Sequence, residues 1–210
     1  MGSMTVINTA KLAAWLADYA DVIHSNTALL TDLDRQIGDA DHGSNMDRGM
    51  QAVATLDPGE FDSAAAYLKK VGMTLVSTVG GASGPLYGTF FLRLSSAWTE
   101  EMKVAGFGAA LRAGLDGILV RGKAEPGDKT MVDALAPAVG AYESALANGD
   151  SLRACLEAAA KACADGRDDT IPLVARKGRA SYLGERSAGH MDPGAASVTM
   201  LIEAAARALP

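Results

Sequence analysis

The sequence has only two cysteines and no long apolar run, and each shortage excludes a class of protein. Cys155 and Cys163 lie eight positions apart in a predicted helix, too far along its axis to form a disulfide. We expect both to be small buried side chains in a reducing compartment. No apolar stretch is long enough for a transmembrane helix, and no signal peptide is recognisable. The sequence therefore predicts a cytoplasmic protein.

Positive charge and aromatic side chains are also scarce. The net charge is −6, whereas a nucleic-acid surface needs clustered Lys and Arg, and no basic amphipathic segment suggests membrane binding. Aromatic residues make up 5% of the chain, so the core must be aliphatic and rich in alanine. A chain of 210 residues suits one large domain. We assign residues 1–4 to a cloning remnant plus the native start, and residues 5–210 to a single helical domain.

Strand patterns hardly occur, while apolar side chains recur at intervals of three or four residues, which is typical of amphipathic helices. The predicted helices cover about residues 7–30, 44–56, 62–79, 85–102, 106–121, 130–147, 151–165 and 195–210. Helices of this length with short connections indicate an all-α, antiparallel up-and-down bundle.

Four connections are polar and rich in glycine, and they follow the first, third, fifth and seventh predicted helices. These connections are residues 31–49, 79–85, 121–130 and 178–194. Antiparallel order places alternate connections at the same end of a bundle. We therefore expect all four to gather at one end and to form a site there.

Three aspartates in the first connection, Asp34, Asp39 and Asp41, are the best candidates for a metal site. Carboxylates this close repel one another unless a cation lies between them. Oxygen ligands without a nearby cysteine suit Mg²⁺ better than zinc. A single aspartate between two helices is often only an N-cap, and that interpretation stays open for each of the three. An EF-hand is excluded because no twelve-residue frame from Asp34 or Asp39 ends in glutamate.

The second connection, residues 79–85, opens a helix. Its glycines would let backbone N–H groups approach an anion, although a tight turn between helices explains the same residues. Ser83 with His42 or His190 leaves a serine hydrolase as an alternative, but the glycines around Ser83 do not have GxSxG spacing.

The third connection begins with a partial phosphate-loop pattern. Residues 117–123 fit GxxxxGK, but alanine follows where Ser or Thr must bind Mg²⁺, and no strand precedes, so a P-loop is excluded. Several cations are expected near the aspartates, where they would suit a metal–phosphate ligand, although solvated surface charge is their ordinary explanation. These cations are Lys123, Lys129, Arg176, Lys177 and Arg179.

Four long segments resemble the L subunit of dihydroxyacetone kinases, the nucleotide-binding subunit. The segments are LDRQIGDADHGSNMDRG, TVGGASGPLYGTFF, RGKAEPGDKTMVDAL and KGRASYLGERSAGHMDPGAASV. They occur in order, and the resemblance covers essentially the whole native chain. The resemblance implies an antiparallel eight-helix barrel with ADP and two Mg²⁺ ions at one end.

By motif, the resemblance also implies roles for particular residues. Asp34, Asp39 and Asp41 would be the Mg²⁺ ligands. The nucleotide would be bound by His42, Gly43, Ser44, Asn45, Ala82, Ser83, Gly122, Met131, Arg179, Asp192, Pro193 and Gly194.

The family divides by the source of the phosphoryl group. Because this chain carries no fused substrate-binding domain, it resembles the free-standing bacterial subunit, whose bound ADP is rephosphorylated in place by an M subunit of the phosphotransferase system. The ATP formed then phosphorylates dihydroxyacetone on a separate K subunit. The alternatives left open are an ATP-dependent ketose or triose kinase subunit, a metal-dependent phosphohydrolase, and a regulatory protein that retains nucleotide as a structural ligand.

Overall fold

A computed structural model describes residues 6–210, and this part of the chain is built from helices without strands. The nine α-helices are α1 (Thr9–Ser25), α2 (Thr27–Ile37), α3 (His42–Ala54), α4 (Ala64–Thr78), α5 (Ser83–Ser96), α6 (Val104–Gly122), α7 (Met131–Ala147), α8 (Leu152–Asp169) and α9 (Pro193–Ala208). Short 3-10 segments cover Pro58–Glu60 and Arg179–Ser187. The all-α prediction is confirmed, and residues 1–4, the proposed cloning remnant, lie outside the described part. None of the helices described here has the length and apolarity needed to cross a membrane.

Eight of the helices pack in a closed ring that follows the order of the chain. Helix α1 contacts α3, each helix from α3 to α8 contacts the next one, and α9 returns to α1. Helix α2 is additional to this order and packs against α3 and α9. The arrangement agrees with the antiparallel eight-helix barrel that the resemblance implies.

The core is aliphatic and alanine-rich around a small aromatic centre. The Trp15 ring lies 6.0 Å from the rings of Phe91 and Phe107, measured between centroids. Its indole N–H donates to the Leu201 carbonyl at 2.9 Å, so the polar atom of this buried side chain is paired. These contacts join α1, α5, α6 and α9. Full burial of each such side chain stabilises the fold by about 1.5–3 kcal/mol.

Several helices begin at side chains that bond their first turn. The hydroxyls of Ser63, Thr130 and Ser151 accept hydrogen bonds from backbone N–H groups at the starts of α4, α7 and α8. Asp133 completes a capping box with Thr130. These caps fix where the three helices begin.

The predicted first helix, residues 7–30, is wrong in its extent, because the helix breaks at Asn26. The Asn26 amide donates to the Val22 carbonyl at 2.8 Å, and the Thr27 hydroxyl donates to the His24 carbonyl at 2.9 Å. Such local bonds compete with helix continuation. The chain then restarts as α2, so residues 31–37 of the acidic connection are helical and not loop.

The predicted helix over 85–102 also differs from the structure. Helix α5 begins at Ser83 and ends at Ser96, and its last turn tightens as the Trp98 N–H bonds to the Ser95 carbonyl at 3.1 Å. The chain then runs to Met102, whose carbonyl accepts from the Ile7 N–H at 2.8 Å. This pairing with the chain start holds the segment outside the helix.

Candidate functional site

All four glycine-rich connections meet at one cavity of about 550 Å³. Asp39, Gly81, Gly122 and Gly194 each line it from a different one of the four predicted connections. The expectation that alternate connections gather at one end is confirmed. A cavity of this size fits a small-molecule ligand or cofactor.

Four helix N-termini open onto this cavity. His42, Ser83, Met131 and Pro193 are the first residues of α3, α5, α7 and α9, and each lines the wall. The first turn of a helix has N–H groups without intrahelical partners and carries a partial positive charge. Four such ends at one place make the cavity suited to an anion with several charges.

The three predicted metal ligands lie together at the cavity. One carboxylate oxygen from each of Asp34, Asp39 and Asp41 lies within 4.8 Å of the other two. A Mg²⁺ ion about 2.1 Å from its ligands places opposite oxygens about 4.2 Å apart. The carboxylates are therefore close to the spacing that a shared ion requires, and their oxygen chemistry fits Mg²⁺.

Asp34 also caps helix α3, and two backbone hydrogen bonds hold its carboxylate in place. Its Oδ2 atom accepts hydrogen bonds from the N–H groups of Asp41 at 2.8 Å and His42 at 3.1 Å, which lie at the start of α3. Asp41 occupies the N-cap position, yet its side chain makes no capping bond. Gly38 makes room for Asp34, because a Cβ at position 38 would lie 2.0 Å from Asp34 Oδ1. The capping interpretation thus holds for Asp34 only, and it does not account for Asp39 or Asp41.

Arg179 reaches the aspartates from the last connection. Its Nε atom lies 2.9 Å from Asp39 Oδ2, with the two side chains 69% and 35% exposed. Because the pair is exposed to solvent, it contributes about 0–1 kcal/mol to stability. It brings a guanidinium to the mouth of the cavity, where Arg121 and Lys177 also line the wall.

His42 is the start of a buried chain of hydrogen bonds. Its Nδ1 atom lies 3.1 Å from the Ser83 hydroxyl, and its Nε2 atom lies 2.9 Å from the Ser197 hydroxyl. The Tyr87 hydroxyl lies 2.7 Å from the same Ser197 oxygen, and the Tyr19 hydroxyl donates to the Ser197 carbonyl at 3.1 Å. The imidazole is therefore fixed between α5 and α9.

Burial lowers the pKa of His42 from its ordinary value, although the nearby Asp34 and Asp41 carboxylates act in the opposite direction. The Ser83–His42 pair has the spacing that a serine hydrolase would need. However, a serine hydroxyl and not a carboxylate holds the other ring nitrogen. His190, the other candidate base, instead pairs with Gln36 at 2.7 Å.

Lys129 does not present its charge to the cavity as its position in the sequence suggested. Its side chain is 1% exposed, and its ammonium is surrounded by backbone carbonyls of residues 170–173 and of His190. Burial lowers the pKa of Lys129, and the Asp192 carboxylate opposes this effect. Among the predicted cations, Lys129, Lys177 and Arg179 line the cavity, and Lys177 and Arg179 are exposed while Lys129 is buried.

Asp192 is buried at the start of α9. Its Oδ2 atom accepts from the Ala195 N–H at 2.7 Å, which makes it the N-cap of that helix. Burial raises the pKa of Asp192 to about 7, and the capping bond acts in the opposite direction. The side chain lines the cavity beside Pro193 and Gly194, as the sequence predicted.

Three predicted ligand residues do not line the cavity, although they lie in the first turn of α3. Gly43 packs against α2, and a Cβ there would lie 2.2 Å from the Thr27 carbonyl. Ser44 is exposed, and Asn45 accepts a bond from Arg48 at 2.6 Å. Their contact with a nucleotide stays a prediction.

The other predicted residues are all brought to the wall. They are Asp34, Asp39, Asp41, His42, Ala82, Ser83, Gly122, Met131, Arg179, Asp192, Pro193 and Gly194. The sequence did not single out the apolar part of the wall, which includes Ile37, Leu86 and Ile118. It also missed the roles of Tyr87 and Ser197. These side chains belong to the helical repeat of apolar and small residues, so no local signal distinguishes them.

Known proteins are similar in sequence to this chain over nearly its whole length. It is 44% identical over 200 residues to the ADP-binding subunit DhaL of a PEP-dependent dihydroxyacetone kinase from Escherichia coli (strain K12), covering 94% of this chain and 95% of that protein. It is 43% identical to the ADP-binding subunit DhaL of a PTS-dependent dihydroxyacetone kinase from Lactococcus lactis, covering 90% and 92%.

Solved structures share the fold. The dihydroxyacetone kinase of C. freundii in complex with AMP-PNP and Mg²⁺ matches with a TM-score of 0.70 and 26% identity, over 97% of this chain and 35% of that one. Its native form gives a TM-score of 0.72 at 27% identity, over 94% and 34%. This chain thus spans about a third of that kinase. The family model described as the DAK2 domain matches residues 36–207. The chain belongs to the DAK2 domain family, together with the ADP-binding subunits of dihydroxyacetone kinases.

Proposed function

We propose that the protein is a phosphotransferase subunit of a dihydroxyacetone kinase, which holds ADP and Mg²⁺ as a phosphoryl shuttle. The observation that carries this proposal is the meeting of three carboxylates and four helix N-termini at one cavity. An anion site that also holds clustered carboxylates needs a cation between the two. A nucleotide with Mg²⁺ satisfies both requirements, and the relatives named above are ADP-binding subunits.

In this proposal Asp34, Asp39 and Asp41 hold two Mg²⁺ ions. Bound metal would supply neutralisation of the charge on the phosphate oxygens. The backbone N–H groups at the starts of α3 and α5 would donate to these oxygens, and Arg179 would bring its guanidinium from the cavity mouth.

The remaining wall suits the rest of the nucleotide. Ile37, Leu86 and Ile118 offer an apolar surface for a planar base, and Met131 lies at the start of α7 beside Gly194. No side chain needs to form a covalent bond in this function, because phosphoryl transfer is catalysed by positioning and by charge neutralisation. The Ser83–His42 pair would hydrogen-bond to the nucleotide and orient it, and Ser83 would not act as a nucleophile.

The partners follow from the same proposal. A phosphorylated M subunit of the phosphotransferase system would donate to bound ADP, and a K subunit would present dihydroxyacetone to the ATP formed. The names of the relatives, which include PEP-dependent and PTS-dependent kinases, support this donor. We place the protein in the cytoplasm, where both partners would act.

Two measurements test the function. The purified protein should carry ADP through desalting in a ratio of about one per chain. Labelled phosphate from phosphoenolpyruvate should then reach this bound ADP through the M subunit, and dihydroxyacetone should be phosphorylated only when the K subunit is added.

Other results would assign a different activity. If label never reaches the bound nucleotide while free ATP supports turnover with the K subunit, the protein is an ATP-dependent kinase subunit. Release of phosphate from ATP without partners would show a phosphohydrolase. Tight ADP with no turnover in any mixture would show a regulatory nucleotide-binding protein.

A further inference from the structure

One wall of the cavity is formed by a long loop whose two ends lie close together. Residues 170–192, named here the closing loop, leave α8 and lead into α9, and Lys177 and Arg179 in its middle line the cavity. The two ends of the loop meet again. The Gly189 N–H donates to the Ile171 carbonyl at 2.8 Å, and the Asp192 N–H donates to the Thr170 hydroxyl at 3.1 Å.

The ammonium of Lys129 lies inside this base. It donates to carbonyl oxygens of both ends of the loop, and the side chain is 1% exposed. The four acceptors are Thr170 at 2.7 Å, Ile171 at 3.3 Å, Leu173 at 3.1 Å and His190 at 2.5 Å. An ammonium has three protons, and four carbonyl oxygens surround it here, so every proton has an acceptor. Lys129 thereby joins the outgoing end of the loop to the returning end.

The backbone around Lys129 supports the same conclusion. Its φ is +63°, in the left-handed region, which a residue with a Cβ adopts at a cost. The preceding Asp128 carbonyl accepts from the Arg176 N–H at 3.0 Å, so the backbone also contacts the closing loop. A glycine would satisfy the left-handed conformation without cost, but it would not supply the ammonium. Side-chain function therefore explains why lysine occupies a strained position.

We propose that Lys129 is a positioning residue of the nucleotide site: it holds the closing loop in place and acts through Arg179, without touching the phosphates. This inference rests on the proposed function, because the effect on ligand requires that a nucleotide bind there. The charge of Lys129 thus stabilises the closing loop and does not contact the ligand.

The test compares Lys129→Met with Val139→Ala. Methionine keeps most of the side-chain length and removes the ammonium, whereas Val139 is a buried residue of α7, the helix that begins two residues after Lys129, and its truncation destabilises the core. In nucleotide-free protein, Lys129→Met should accelerate hydrogen exchange at the Arg176 and Gly189 amides by about tenfold or more. Exchange in α4 should not change by this factor, and Val139→Ala should not produce the local pattern.

Nucleotide release gives the second measurement. Lys129→Met should speed the loss of bound ADP by about tenfold or more, and this effect should shrink strongly when Arg179→Ala is also present, because both changes remove the same contact. Full additivity of the two changes would overturn the inference. So would an exchange pattern in Lys129→Met that matches Val139→Ala.

Two further outcomes bear on the inference: a Lys129→Met variant that does not fold, and a wild type that retains no ADP. If Lys129→Met does not fold, Lys129→Gln replaces it: its amide is uncharged, sits on a shorter side chain and has two donors where the ammonium has three, so exchange at Arg176 and Gly189 should still rise, and wild-type exchange there would overturn the inference. If the wild type retains no ADP, the proposed function fails. The exchange measurement then still decides whether Lys129 holds the closing loop.

Discussion

Asp34 and Asp39 should respond differently to truncation, although both are assigned to the same metal site. Asp34 caps α3 through two backbone N–H groups, whereas Asp39 is exposed and pairs only with Arg179. In nucleotide-free protein, Asp34→Ala should therefore destabilise the fold and Asp39→Ala should not. With Mg²⁺ and ADP present, both should lose the stabilisation that the ligand gives.

The magnitudes follow from the geometry. Two unit charges 4.8 Å apart in water repel by about 0.9 kcal/mol, and each carboxylate has two such neighbours, so removing one relieves about 1.7 kcal/mol. Asp34→Ala also loses two hydrogen bonds to a charged group, each worth about 1.5–3 kcal/mol, so the loss exceeds the relief. We expect a net cost of about 1–4 kcal/mol, or about 2–16 °C in Tm. For Asp39→Ala, the relief is at least as large as the loss of an exposed ion pair, so this variant should be no less stable than the wild type.

Bound ligand changes this comparison, because both variants should then be less stabilised than the wild type. A ligand at about 100 times its Kd adds about 2.7 kcal/mol to the free energy of unfolding, and a hundredfold weaker affinity reduces this to about 0.4 kcal/mol. Thermal unfolding with chelator and with Mg²⁺ plus ADP measures both effects on each variant. Asp47→Ala is the matched control, because Asp47 lies on α3 and pairs with His24 outside the cavity. A wild-type ligand shift in Asp39→Ala would refute the metal assignment.

Three other changes test the site and the fold. Gly38→Ala should weaken retention of ADP with Mg²⁺ by about tenfold or more, because the new methyl group would displace the Asp34 carboxylate; equilibrium dialysis measures this, and unchanged affinity would contradict it. His42→Ala should slow transfer to bound ADP and also cost about 1–3 kcal/mol, since it removes the buried hydrogen bonds to the Ser83 and Ser197 hydroxyls; transfer at the wild-type rate in the folded variant would exclude a role in the cycle. Hydrogen bonding to Arg112 lowers the pKa of Glu143, so this pair stabilises the protein above the unfolded pKa and the contribution is lost on acidification. Both side chains are about 40% exposed, so Glu143→Gln should cost at most about 0.5 kcal/mol by urea unfolding at neutral pH, and a larger loss would show a stronger pair.

The helices were largely predictable because apolar periodicity and caps are local signals. The break at Asn26 was not, since it depends on whether two polar side chains bond to the preceding turn or to water. The end of α5 at Ser96 depends on a backbone bond between Ile7 and Met102, which are far apart in the sequence. Contacts of this kind leave no periodic trace.

The site shows the same division. Asp34, Asp39 and Asp41 lie within one short stretch, so the sequence alone could propose their common role. Ser197 meets His42 across 155 positions, and Lys129 meets His190 across 61. Both partners are ordinary residues of their segments, and only the folded ring brings them together.

The arrangement of the ring also explains why carboxylates occur at an anion site. Four helix N-termini at about half a positive charge each supply about +2 to the cavity, while the three aspartates supply −3 when ionised. Without a cation at the aspartates, phosphates would therefore meet net negative charge at that part of the wall, which the exposed Arg121, Lys177 and Arg179 offset only in part. Adding Mg²⁺ reverses the balance, and the phosphates then compensate the metal in turn. Because each ligand supplies the charge that the other requires, metal and nucleotide should bind as one unit, and the loss of Asp39 should release both together.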